Sequence, residues 1–225
     1  LFNEFVTKGV RETDQWIGRL MSAVEQAGQL TETNLVLTSD HGQLEIKRVI
    51  HPNVILRDKG LLTTGPDGAL RQWDAYAHST GLSALVYLSG SDKYGEVYQI
   101  LKDMRDEGIY GISEVFTREE INERQHLDGD FAFVLETDGY TSFGEDCVRP
   151  LVTQMDHSDY RYGSATHGYL PEKGPQPFLL AKGPAIRENG FSNIKQMVDL
   201  APTFAEILGA SLPEADGSPI TEILN

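Results

Sequence analysis

Residues 35–43 read LVLTSDHGQ. The apolar run Leu35-Val36-Leu37 stops at an acid, an imidazole and a glycine. A short apolar run bounded by polar residues has the form of a buried strand. Two readings compete for the triplet at its end. Asp40-His41-Gly42 is a polar turn, or Asp40 and His41 are ligands. A carboxylate oxygen beside an imidazole nitrogen suits a borderline metal such as zinc, and Gly42 lets the backbone turn without a Cβ.

Upstream, the chain opens LFNEFVTKGVRETDQWIGRLMSAVEQAG, without Met and without a signal-like segment. Val10, Asp14, Ile17, Met21 and Val24 fall near helical spacing, Leu20 widens the apolar face, and Gly28 fits the stop. A helix this close to residue 1 leads us to expect a piece of a longer protein, with any targeting segment in the missing part.

Downstream, Thr64-Gly65-Pro66-Asp67-Gly68 is turn punctuation for a hairpin or loop tip. SALVYL (83–88) reads as a second buried strand. Val97, Leu101 and Met104 mark a helix ending at Gly108, and Thr117-Arg118-Glu119-Glu120 matches a capping box. DFAFVLE (130–136) reads as a third strand, 137–166 as a long loop, and PFLLAKGPAI (177–186) as another strand. In VDLAPTFAEILG, Asp199 can cap a helix, Pro202 suits its first turn, and Gly209 can end it. Strands alternating with helices predict an α/β sandwich with a mainly parallel sheet, in which ligands collect beyond the carboxyl ends of strands. Asp40 and His41 stand at such an end. Residues 43–81, broken by turn residues, are expected to form a lid or excursion beside the site.

The chain has 225 residues, 40% hydrophobic and 24% charged, enough for one sizeable core. No apolar run is long enough to cross a bilayer. Lys+Arg 19 against Asp+Glu 34 gives a net charge of −15. That argues against a nucleic-acid groove, which needs clustered cations, and against an anionic substrate unless bound cations reverse the local field. Cys147 is the only cysteine, which excludes an intrachain disulfide and a cysteine-rich zinc knuckle and is compatible with a reducing compartment.

A second segment, SATHGYLPEKGPQPFLLAKGP (164–184), places His167 in Thr-His-Gly just before a strand. With SDHG ahead of it and VDLAPTFAEILG after it, and with WDAYAHSTGLSALVYL (73–88) and ADGSPITEIL (215–224), the chain resembles the carboxyl-terminal portion of a type I phosphodiesterase/nucleotide pyrophosphatase of the alkaline phosphatase superfamily. The resemblance implies a three-layer αβα sandwich, incomplete at its N-terminal side, with residues 1–225 as the later part of the catalytic domain. It implies two divalent ions, zinc first and manganese or magnesium as alternatives. Asp40 and His41 would hold one ion and His167 part of the other. It implies a small phosphodiester or nucleotide substrate, and transfer to water through a covalent Thr or Ser intermediate.

Three features of that family have no counterpart here: an upstream Asp, the Thr or Ser nucleophile, and an Asp-x-x-x-His pair. Asp14 has no His four residues on. The nucleophile is therefore expected upstream of Leu1, the chain alone is expected to be inactive, and an exposed sheet edge is expected to favour self-association. His78, His157 and Tyr169 are candidates to line the substrate, with Lys173 nearby. His51 and His126 read as surface residues. Ser142, Ser158 and Ser164 lack a nucleophile elbow. The alternatives are a phosphomonoesterase, phosphonate hydrolase, sulfatase or phosphomutase on the same scaffold, a non-catalytic metal- or nucleotide-binding module, and a purely structural domain.

Overall fold

The structure, a computed structural model, describes residues 3–156, 158, 163–193 and 195–225. In chain order the elements are α1 (Glu4–Gln26), β1 (Leu35–Thr38), β2 (Leu44–Glu45), β3 (Arg48–Ile50), α2 (Pro52–Asp58), β4 (Leu62–Thr64), β5 (Leu70–Trp73) and β6 (Ala75–Ser79). Then follow β7 (Ser83–Leu88), α3 (Tyr94–Glu107), β8 (Ile112–Thr117), α4 (Arg118–Gln125) and β9 (Phe133–Thr137). The last are β10 (Thr141–Phe143), β11 (Val152–Gln154), β12 (Ala165–Thr166), β13 (Leu179–Lys182) and α5 (Leu200–Ile207). The class is α/β, as the sequence predicts. Contacts divide the chain into two units: one holds His41–Gln176, and the other runs to Asp40 and resumes at Pro177–Asn225.

The first unit is built on a four-stranded antiparallel sheet in the order β6-β7-β9-β8. Of its two central strands, β7 and β9, the second is buried along its whole length. Phe133 and Leu135 enter a core with Val86, Leu101, Ile50 and Leu56. Val134 enters a second cluster with Phe116, Ile121, Phe131 and Leu170. A strand covered on both faces needs no polar alternation, which explains the unbroken run FAFVL. α3 buries Val97, Leu101 and Met104 at helical spacing and stops at Gly108 (φ 68°). Both halves of the Thr117–Glu120 capping box are made at α4.

Residues 137–166 hold more than the expected loop. Thr141–Phe143 pairs parallel to β3, and Val152–Gln154 pairs antiparallel to it. Three-residue strands carry no local periodicity, so only their long-range partners reveal them. Among the described ladders β3–β10 is the parallel one. The hairpins β4–β5 and β6–β7 are joined too briefly for the crossover that a parallel pair requires.

Segment 43–81 is built into the core. Ile50, Val54, Leu56, Leu61, Leu62, Ala75 and Ala77 are all buried. Thr64–Gly68 turns the β4–β5 hairpin, with Gly65 N–H donating to the Ala69 carbonyl at 2.9 Å.

In the second unit β1 pairs antiparallel with β13, from Leu35 opposite Lys182 to Thr38 opposite Leu179. Ile186, Ile220, Ile223 and Leu224 form a small core against Leu179, Ala181, Leu200 and Ile207. Pro202 lies in the first turn of α5, and Gly209 (φ 66°) follows its end. Asp199 does not cap α5 through its side chain. Its carboxylate accepts the N–H of Gln196 at 3.0 Å and of Ser218 at 2.9 Å, because the preceding 3-10 turn Met197–Asp199 takes the cap. α1 buries no residue fully; Ile17, Met21 and Val24 are half-buried, while Val10 and Leu20 stay exposed. Among the described residues no helix is long and apolar enough to cross a membrane.

Candidate functional site

A two-residue ladder joins the two histidine motifs. β12 pairs antiparallel with β2, Ala165 opposite Glu45 and Thr166 opposite Leu44. β2 starts shortly after His41, and β12 ends directly before His167. The register therefore carries both imidazoles to the same end of the ladder. Their rings stack, with centroids 3.9 Å apart and planes 17° apart.

His41 is half-buried, and its Nδ1 lies 2.9 Å from the Gly42 carbonyl. A carbonyl oxygen only accepts, so Nδ1 carries the proton and the neutral ring keeps a lone pair on Nε2. Metal-binding imidazoles are oriented in this way, one nitrogen held by a carbonyl and the other turned to the ion. His167 is exposed.

Two glycines make the approach possible. A Cβ on Gly42 would lie 2.2 Å from the Pro175 carbonyl oxygen and 2.7 Å from the Tyr169 hydroxyl. Gly168 has φ 90°, and a Cβ there would lie 2.1 Å from the Thr80 carbonyl oxygen. SDHG and THG thus need their glycines for contact and conformation, beyond any role of the histidines.

The chain after His167 is anchored in turn. The Tyr169 hydroxyl donates to the Pro175 carbonyl at 3.1 Å, and burial pushes the phenol pKa up. Leu170 is buried in the second core cluster, which stabilises by about 1.5–3 kcal/mol relative to leaving it exposed. Glu136, almost fully buried, accepts the Leu170 N–H at 3.0 Å and faces Lys173 Nζ at 3.3 Å. Desolvation raises the Glu136 pKa, against the opposing pull of Leu170 N–H and Lys173.

The other candidates are placed differently. Asp40 is exposed and belongs to the second unit. His78 pairs through Nδ1 with Glu145 Oε1 at 2.7 Å. The same carboxylate accepts from Ser79 N–H at 3.0 Å and from the Tyr76 hydroxyl at 3.1 Å. Burial and then the Glu145 charge push Tyr76 up to about 12. His157 lies outside the described residues. His126 is exposed at the end of α4. His51, expected at the surface, is buried. Its Nδ1 accepts Asp146 N–H at 3.2 Å and its Nε2 meets Thr153 Oγ1 at 3.3 Å, so both nitrogens are satisfied without water. Sequence reasoning also passed over Glu136 and Glu145. A glutamate closing the apolar run DFAFVLE was the available signal for the first; nothing local marks the second.

His41 and His167 match a borderline cation in donor type. Their rings are near-parallel, with centroids 3.9 Å apart. They do not complete a coordination shell, and among the described residues no group of three or more His, Cys, Asp or Glu side chains is gathered to hold a metal.

The family described as type I phosphodiesterase / nucleotide pyrophosphatase matches residues 3–170. The chain belongs to this family. An ectonucleotide pyrophosphatase/phosphodiesterase 1 of Saccharomyces cerevisiae is 26% identical over 176 residues, covering 75% of this chain and 23% of the relative. Among solved structures, human ectonucleotide pyrophosphatase/phosphodiesterase 5 superposes with a TM-score of 0.73 at 19% identity, over 99% of this chain and 54% of its own. The murine protein, as an inactive variant in complex with AMP, gives 0.74 at 23% identity, again over 99% and 54%. These likenesses establish the alkaline-phosphatase-like α/β fold. The chain spans about half the length of the solved relatives and less than a quarter of the yeast one.

Proposed function

We propose that this chain supplies part of the metal site of a phosphodiesterase or nucleotide pyrophosphatase. The observation that carries the reading is the His41–His167 stack, with the His41 Nδ1 proton held by the Gly42 carbonyl and the lone pair therefore on Nε2, in a member of this family. Asp40 joins by motif alone, as the carboxylate ligand of the ion that His41 holds; His167 serves the other. Nitrogen and carboxylate donors favour zinc, and manganese or magnesium suit an imidazole less. Divalent ions bound there supply positive charge for a phosphoryl oxygen and lower the pKa of an attacking hydroxyl.

In this reading the chain's own residues hold and orient. The Gly42 carbonyl fixes the His41 tautomer, and the β2–β12 ladder sets the spacing of the two rings. No residue of the chain is assigned as the nucleophile. The substrate is a small phosphodiester or nucleotide, a reading supported by the AMP bound to the murine relative.

The test is hydrolysis of a chromogenic phosphodiester by the full-length protein with added zinc or manganese, beside a phosphate monoester and a sulfate ester. The diester is expected to be preferred, and turnover to be lost in His41→Ala and His167→Ala. Faster turnover of the monoester or sulfate would assign another reaction to the scaffold. Unchanged activity in His167→Ala would overturn the metal reading.

A further inference from the structure

The segment from His167 to Lys173 is tied at its start to Leu82, which is itself bonded to Thr137, and further on to the last two residues of β9, Glu136 and Thr137. At its start the Leu82 N–H donates to the His167 carbonyl at 2.9 Å, and the Leu82 carbonyl accepts the Thr137 N–H at 3.1 Å. At its end Lys173 Nζ donates to the carbonyl of the same Thr137 and to Ser113 Oγ, the latter at 2.6 Å. Ser113 Oγ in turn donates to the Thr137 carbonyl at 2.6 Å. Lys173 also stands 3.3 Å from Glu136 Oε1, which accepts the Leu170 N–H. Glu136 is 2% exposed. A charge so buried is tolerated when paired and hydrogen-bonded, and its partners here are Leu170 N–H and Lys173. Both are supplied by the segment itself, so the carboxylate is satisfied only when the segment is folded back onto β9. Replacing a buried ion pair by apolar residues of similar volume is often neutral for stability.

We propose that Glu136 and Lys173 are positioning residues for His167. By clamping the segment that follows it to the end of β9, they hold its imidazole against that of His41 in the attitude in which both accept a cation. The clamp is independent of any metal; its consequence for cation binding rests on reading the two histidines as ligands.

The experiment uses the 225-residue chain with its histidines ¹³C-labelled. In the metal-free protein, ring stacking shifts the Cε1–H signals of His41 and His167, and zinc affinity is read separately by chelator competition. In Lys173→Met both signals are expected to move to unstacked positions. Zinc affinity is expected to fall about 10–100-fold, the usual cost of losing a group that orients a ligand. Lys173→Arg is expected to keep the stack. The double variant Glu136→Gln/Lys173→Met removes the unpaired buried charge, so it is expected to fold and still lose the stack. Wild-type ring signals in both Lys173→Met and the double variant would overturn the clamp. Global unfolding of the double variant would also overturn it, because the pair would then hold the whole fold and not this segment. If Lys173→Met moves the ring signals while His167→Ala binds zinc as tightly as wild type, the clamp stands and the metal reading falls.

Discussion

The imidazoles of His41 and His167 lie face to face, 3.9 Å between centroids, with the Nδ1 of His41 tied to the carbonyl of Gly42. The contact follows from the β2–β12 register, because Thr166 opposite Leu44 delivers both histidines to one end of the ladder. A catalytic zinc takes three protein ligands and an open position, and in the proposed reading Asp40 and His41 offer two ligands to one ion and His167 one to the other. The 225-residue chain is therefore expected to bind zinc weakly and to show no turnover of a chromogenic phosphodiester. Titration against a chromophoric chelator checks the first point. Turnover of the diester by these 225 residues would show a complete site within them.

Gly168 and Gly60 separate conformational strain from steric clash. Both have positive φ, 90° and 79°, but a Cβ on Gly60 meets nothing within 4 Å while one on Gly168 meets the Thr80 carbonyl at 2.1 Å. Gly60→Ala is expected to cost about 1–2 kcal/mol, the strain of an L-residue in that region. Gly168→Ala is expected to cost more and also to weaken zinc binding, because the clash displaces the residue after His167. Urea unfolding of the two variants compares them; equal losses would place the strain in φ alone.

Asn53 is fully buried, and its side chain answers both backbone groups of Ala77. Its Oδ1 accepts the Ala77 N–H at 2.8 Å, and its Nδ2 donates to the Ala77 carbonyl at 2.9 Å. Asn53→Ala leaves both groups buried and unpaired, at about 1–3 kcal/mol each, so a loss of roughly 2–6 kcal/mol is expected. Asn53→Asp is expected to be at least as damaging, because it removes the donor and buries a charge against the Ala77 carbonyl. Denaturant midpoints of the two variants check this, and a loss below about 1 kcal/mol in both would contradict it.

Glu136 gives a pH dependence of defined sign. Its folded pKa is raised, with desolvation as the largest cause, so the folded state binds the proton more tightly than the unfolded state. Its contribution is fully present below the ordinary carboxylate pKa of 4.5 and is lost as pH rises through the higher folded value. The stability of wild type minus that of Glu136→Gln should therefore fall as pH rises through that window. Urea midpoints of the two proteins across the acidic range measure it. A difference that grows with pH would mean that Lys173 and Leu170 N–H outweigh the desolvation.

Elements whose signal is local were legible. The α3 spacing Val97, Leu101, Met104, the Thr117–Glu120 capping box and the turn at Thr64–Gly68 each act within a few residues, and each stands where the pattern put it. The apolar strands Leu35–Thr38 and Ser83–Leu88 were visible for the same reason. Strand direction was less accessible, since whether β1 meets a parallel or an antiparallel neighbour depends on a chain segment more than a hundred residues away. β10, β11 and β12 were hidden because two or three residues cannot establish a period.

The sequence by itself determined the α/β class, the end of α3 and the start of α4, and which residue types could bind a cation at Asp40, His41 and His167. It did so because caps, helical spacing and donor chemistry are properties of neighbouring residues. Only the tertiary structure decided that His41 and His167 stack, that His51 turns inward, and that Glu136 is buried against Lys173. Those outcomes depend on burial and on long-range register. The same glutamate is an ordinary solvated charge on an open strand and a buried clamp once the segment after His167 folds across it.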